Sequence, residues 1–282
     1  MRRAGKVLAL LALLLPLGAC GGARRGATQR ASAPPAAEEA AFEPYAGRMI
    51  YVVVALCDNV NQGIVPVAPA LGDGADPARN LYWGARYGVK TFFGRSRDWR
   101  LVESAPGPDP KILERLVFKH RRLDALLVAD AYRGDEIRQA TADFLSAASG
   151  RSPASVKVGG RAYGLARSAA SHLVAYVGHN GLMDFALAPQ PAGRDDGARR
   201  DAVVLACASK NYFADSLRRA GARPLLWTTN LMAPEAYVLD AAVAGWLAGE
   251  DGEAVRERAA RAYHSYQDCG LGAARRLFAT GY

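Results

Sequence analysis

The sequence predicts an α/β fold, a three-layer α/β/α sandwich around a mainly parallel sheet, and three observations carry that reading. Short Val-rich apolar runs recur along the chain at residues 48–57 (RMIYVVVALC), 124–131 (DALLVADA), 173–177 (LVAYV) and 202–206 (AVVLA). Runs of this length, apolar on both sides, read as buried parallel strands. Stretches of helical character separate them, the alternation that builds a parallel sheet with helices on both faces. The last two runs each lead straight into a chemically capable side chain, the first reaching Gly178-His179-Asn180-Gly181 and the second Cys207-Ala208-Ser209. Open α/β sheets bind ligands at the carboxyl ends of their strands, so one His and one Cys are expected on the same rim.

The chain begins with a basic start (Arg2, Arg3, Lys6), an apolar stretch over residues 7–17, and Leu17-Gly18-Ala19-Cys20. That stretch is too short to span a bilayer and has the layout of a secretory leader. A Cys directly after Leu-Gly-Ala resembles the lipobox of bacterial lipoproteins. The resemblance implies that residues 1–19 are removed, that Cys20 is acylated, and that the protein is held on a membrane by its lipid. Gly21 in place of Asp implies the outer membrane. Each buried CH₂ of an acyl chain contributes roughly 0.8 kcal/mol, so several chains on one Cys anchor a protein without a spanning helix. Residues 20–43, built from Gly, Ala, Arg, Ser, Thr and Pro, lack apolar periodicity and are expected to form a disordered tether. Residues 44–282 suffice for one sizeable domain and are short for two. The formal net charge is +9, without a basic stripe interleaved with aromatics, so nucleic acid is not an expected partner.

The remaining elements follow in order. Residues 99–103 read as a strand. Residues 110–120 read as a helix, with Asp109 as N-cap and Pro110 at the first helical position. Residues 135–148 form a helix with acidic residues at its start, as the macrodipole favours. A helix over 211–220 ends at Gly221, residues 223–228 form a short strand, and 234–247 and 252–263 are helices. Residues 58–93 break the rhythm with a long Gly- and Pro-containing segment that includes Asn80-Leu81-Tyr82-Trp83-Gly84. A loop of that length after a central strand is usually functional. Its aromatics, Tyr82, Trp83 and Tyr87, either hold substrate or pack the loop onto the sheet.

An apolar strand running into His and Gly, a spacer, and a second apolar strand running into Ala-Cys together resemble the caspase-like cysteine peptidases, which include clostripain, gingipains, legumain and caspases. The matching stretches are VAYVGHNG with His179, VVLACAS with Ala206-Cys207, and YVVVALCDN ending in Asp58-Asn59. The resemblance implies a caspase-like fold in which Cys207 attacks a peptide carbonyl and His179 protonates the leaving amine. The N–H groups of Asn180 or Gly181 and of Cys207 would hold the oxyanion. Two departures stand out: the family places Gly directly after His, where this chain has Asn180, and the spacer from His179 to Cys207 is short. Members that cut after Arg or Lys carry an acid in the substrate pocket. Asp58, Asp184, Asp215 and Glu235 are the acidic candidates here and Lys210 the nearest base, so cleavage after Arg or Lys is expected. Asp58, Tyr82, Trp83 and Glu235 are the substrate-binding candidates. The alternative is an inactive caspase-like lipoprotein that serves as a binding or scaffolding module in the cell envelope.

Of the other candidates, His120, His172 and His264 read as structural. Cys57 pairs either with Cys269, leaving Cys207 free, or with Cys207, which would block the nucleophile. Asp58, Asp130, Asp184 and His179 could share a rim around a divalent cation, but carboxylates at strand ends are common in this fold class, and no metal is expected. Without a Walker loop, a dinucleotide fingerprint or a Gly-x-Ser-x-Gly elbow, no cofactor is expected.

Overall fold

The structure, a computed structural model, describes residues 42, 45–166, 172–188 and 192–282. Cys20 and the expected leader and tether lie outside the described residues. No helix among the described residues is long and apolar enough to cross a membrane.

Within the unit Ala40–Tyr282, the alternation seen in the sequence becomes an eight-stranded mixed sheet. Its five central strands are parallel: β1 (Arg48–Ala55) lies between β4 (Ala125–Tyr132) and β7 (His172–Val177), followed by β8 (Arg200–Leu205) and β9 (Arg223–Thr228). Antiparallel strands close both edges. The hairpin of β2 (Trp99–Ala105) and β3 (Ile112–His120) extends β4, and the two-residue β10 (Phe278–Ala279) extends β9. A separate hairpin joins β5 (Ser155–Val158) to β6 (Arg161–Gly164).

Strand β1 takes the centre because it is apolar on both faces. Ile50, Val52 and Val54 pack with α1 (Val89–Gly94), α4 (Ala236–Leu247), α5 (Gly252–Gln267) and α6 (Leu271–Leu277). Met49, Tyr51 and Val53 pack with α2 (Ile137–Ala148) and α3 (Ser209–Ala220). Each large apolar side chain buried in this way stabilises the fold by about 1.5–3 kcal/mol, and no edge position would bury both rows.

Residues 110–120 are not a helix. Ile112–His120 is strand β3, paired on both sides. Asp109 Oδ1 accepts from the Lys111 N–H at 2.8 Å and closes a turn instead of capping a helix. Leu116, Val117 and Phe118 are all buried, on alternate faces. Two ladders of sheet hydrogen bonds and burial of both faces outweigh a local capping signal. His120 therefore ends a strand, where its Nδ1 accepts from the N–H groups of Arg122 and Leu123.

Five elements lie outside the sequence reading: the helices α1 and α6, the strand β10, and the two strands of the β5–β6 hairpin. The hairpin had a readable signal, since Gly159 and Gly160 both have positive φ (59° and 82°), the demand of a tight two-residue hairpin turn. The expected helix end at Gly221 is present, with φ 66° and its N–H on the carbonyls of Arg218 and Leu217.

Candidate active site at the carboxyl rim of β7 and β8

Parallel pairing sets the site. Val177 lies opposite Leu205, and the Gly178 N–H donates to the Leu205 carbonyl at 3.2 Å. His179 and Cys207 therefore each leave the sheet two residues beyond the last matched pair, on neighbouring strands. Gly178 is needed at this exit. Its φ is 151°, and a Cβ there would meet the Ala55 carbonyl at 2.7 Å, a conformation and an approach that favour glycine.

Asn180 ties the two strand ends together. Its fully buried side chain donates from Nδ2 to the Cys207 carbonyl at 2.7 Å and accepts the Leu182 N–H on Oδ1 at 3.2 Å. The Gly181 N–H donates to the His179 carbonyl at 3.1 Å, which commits that amide. The N–H groups of Asn180 and Cys207 carry no hydrogen bond among the described residues.

The His179 ring is buried, and its Nε2 lies 2.7 Å from Asp184 Oδ2. A short 3₁₀ turn over Gly181–Met183 carries the chain back far enough for a carboxylate five residues on to reach the ring. The same Oδ2 accepts the Gly63 N–H at 3.0 Å.

Cys207 bears a free, half-buried thiol. The Met232 N–H donates to its Sγ at 3.4 Å, and Sγ lies 3.6 Å from the Met232 carbonyl. Directly after it, Ala208 takes the left-handed conformation (φ 47°) and α3 begins at Ser209. A non-glycine residue there costs about 1–2 kcal/mol. The turn is held by the Ala208 N–H on the Asn230 carbonyl and by Ser209, whose N–H and hydroxyl meet Thr228 Oγ1. The sulfur thus sits at a sharp strand-to-helix turn beside the N-terminus of α3.

The loop candidates divide. Trp83 is fully buried, with its Nε1 donating to Glu114 at 2.7 Å, so it packs the loop onto the sheet. Burial raises Glu114, but hydrogen bonds from Lys90 and Trp83 hold its carboxyl below the usual range. Tyr82 is buried beside Cys57 and Cys207. Burial pushes its hydroxyl well above the usual value, with both thiols adding to the rise. Burial also raises the Cys57 thiol to about 11, against a hydrogen bond from Tyr82. Tyr87 stands edge-on to Tyr237 and Tyr266.

Asp58 is buried, and its own loop saturates it. Oδ1 accepts the N–H groups of Val60 (2.8 Å) and Asn61 (3.0 Å), and Oδ2 accepts Asn61 Nδ2 (2.9 Å). It borders a groove of about 460 Å³ with Asn59, Asp73, Arg133 and Asp135. Glu235 Oε2 accepts from Tyr237 Oη (2.8 Å) and Gln267 Nε2 (3.0 Å). Asp215 is exposed on α3 and pairs with Arg218, and Lys210 lies over the Trp227 ring.

Neither expected disulfide is formed, and Cys57, Cys207 and Cys269 are all free. Cys57 is sealed under the loop, whereas Cys269 is exposed beyond α5. Asp130 does not reach the rim. It lies within β4, gripped on both oxygens by Arg115 at 2.6 Å and bonded by Tyr51 Oη. Among the described residues, no group of three or more His, Cys, Asp and Glu side chains is arranged to hold a metal ion. His264 Nδ1 accepts the Gly270 N–H, and His172 is buried at the start of β7. The residues that sequence reasoning underused are Asn180, read for its amide and not its side chain, and Asp184, read as a specificity acid. An Asx-type turn at Asn180-Gly181 was the signal for the first; none marked Asp184 as the partner of His179.

Comparison of the chain with protein-family models, with curated proteins and with solved structures finds no match.

Proposed function

We propose that the protein is a cysteine peptidase of caspase-like architecture, anchored in the bacterial cell envelope through an acylated Cys20, on the outer membrane. The observation that supports this most directly is the equal exit of His179 and Cys207 from paired parallel strands, joined by the Asn180 to Cys207 hydrogen bond. In the reaction, His179 receives the thiol proton and Cys207 Sγ attacks the scissile carbonyl carbon, forming a C–S bond. Charge gathers on the carbonyl oxygen, where the unengaged N–H groups of Cys207 and Asn180 can meet it. Collapse of that intermediate breaks the C–N bond, and the imidazolium delivers its proton to the departing amine. Water then hydrolyses the thioester and regenerates the thiol. Glu235, three residues past the Met232 that meets Cys207 Sγ, favours a basic residue before the cut bond. The test is labelling with iodoacetamide and with peptidyl acyloxymethyl ketones, alongside a positional peptide library. Native Cys207 should react faster than a denatured thiol and cleavage should follow Arg or Lys. Equal labelling in native and denatured protein, with no peptide cut, would remove the enzyme reading.

One observation favours a second reading, a binding module of the envelope. Val60, Val65, Met183 and Leu231 are 86%, 88%, 43% and 69% exposed on the segments that follow β1, β7 and β9, and exposed apolar side chains can mark a binding site. That reading expects Val65→Ser with Leu231→Ser to abolish partner capture while His179→Ala leaves it intact.

A further inference from the structure

Asp184 does something that its place in the sequence does not announce. Its carboxylate takes Nε2 of His179 at 2.7 Å and the Gly63 N–H at 3.0 Å on the same oxygen. An ionised carboxylate only accepts hydrogen bonds, so the ring nitrogen facing it carries the proton. Nδ1 has no hydrogen bond among the described residues, and in the neutral imidazole it is the ring's acceptor. Gly63 belongs to the segment that Asp58 folds through Val60 and Asn61, so one carboxylate joins the loop after β1 to the imidazole after β7. A side chain at Gly63 would intrude, because a Cβ there would stand 2.5 Å from Asp184 Oδ1.

We propose that Asp184 is a positioning residue for His179: it fixes the Nε2–H tautomer and leaves Nδ1 bare, the nitrogen that takes the thiol proton of Cys207 on the peptidase reading, and Gly63 keeps it in place. This rests on the peptidase reading for its purpose but not for its test. Long-range ¹H–¹⁵N NMR of the imidazoles, with His179→Gln for assignment, reads the tautomer directly. Wild type should show Nε2–H. In Asp184→Asn the amide can turn its NH₂ toward Nε2, so Nδ1–H should dominate and iodoacetamide labelling of Cys207 should slow by at least ~10-fold, as a wrong tautomer does in a nucleophile–His–carboxylate triad. Asp184→Ala should give mixed tautomers and an intermediate rate. Gly63→Ala, which keeps the carboxylate but displaces it, should slow labelling ~3- to 10-fold. An unchanged tautomer in Asp184→Asn, or unchanged labelling in both Asp184→Asn and Gly63→Ala, overturns the proposal. Failure of the wild type to cut any peptide would sink the peptidase reading and leave the tautomer result standing.

Discussion

The two halves of the carboxyl rim differ in how completely their polar groups are satisfied. Over β1 and β4, Asp58 has three donors on its carboxylate, and buried Asn80 holds Cys57 by both N–H and carbonyl, the Tyr82 N–H and the Asp73 carbonyl. Over β7 and β8, Nδ1 of His179, the N–H of Cys207 and a free thiol are left with capacity to spare. Buried polar groups normally find partners. The first half therefore reads as scaffold, and the second as the place where a substrate can supply what is missing.

The sharpest way to break that contrast is to remove a group from each half. Cys207→Ala should abolish covalent labelling by a peptidyl probe at this position, and His179→Ala should slow it by roughly 10²-fold or more, the size of a lost general base. Both variants should unfold in denaturant much like the wild type. Retained labelling in His179→Ala would move the reactive centre elsewhere. Asn80→Ala should behave in the opposite way, destabilising the fold by about 2–4 kcal/mol because it strands several buried partners. Labelling per folded molecule should change little, and a stability loss below about 1 kcal/mol would deny this half its scaffold role.

A smaller effect comes from a third place and tests whether an unsatisfied group suffices to mark a site. The Asp240 side chain on α4 carries no hydrogen bond among the described residues. Burial, with the nearby Asp98 charge, raises its carboxyl from the ordinary 3.8 to about 6. A carboxyl raised on folding prefers to be neutral in the native state. Its contribution is full below the unfolded value and is lost as pH rises through the folded one. Asp240→Asn should thus stabilise the protein by about 2 kcal/mol at pH 8 and by nothing at pH 3.5, read from urea melts at both values. Thiol labelling at Cys207 should not change. A gain independent of pH would assign the effect to packing. The smallest change is expected from Glu235→Gln. Its carboxylate already accepts from Tyr237 and Gln267, so stability should move by less than about 1 kcal/mol, while any loss of preference for basic peptides in the library would give it a pocket role.

Much of the fold and the positions of its candidate nucleophile and base were legible in the chain. Apolar runs in β1, β4, β7 and β8 carry side chains for two faces, and that pattern is a property of neighbouring residues. So are the His and Cys that directly follow two of those runs, and the Gly221 that ends α3. Long-range contact decided the rest. Asp109-Pro110 announces a helix start, yet Ile112–His120 became a strand because β2 and β4 lay ready to pair with it. The cysteines stayed unpaired because one was sealed under the loop and another left outside. Asp58 and Asp184 are both acids at strand ends, indistinguishable by local pattern. One turned inward to its own loop and the other to a histidine, because hydrogen-bond partners are assigned by how distant segments come together and no local period encodes that.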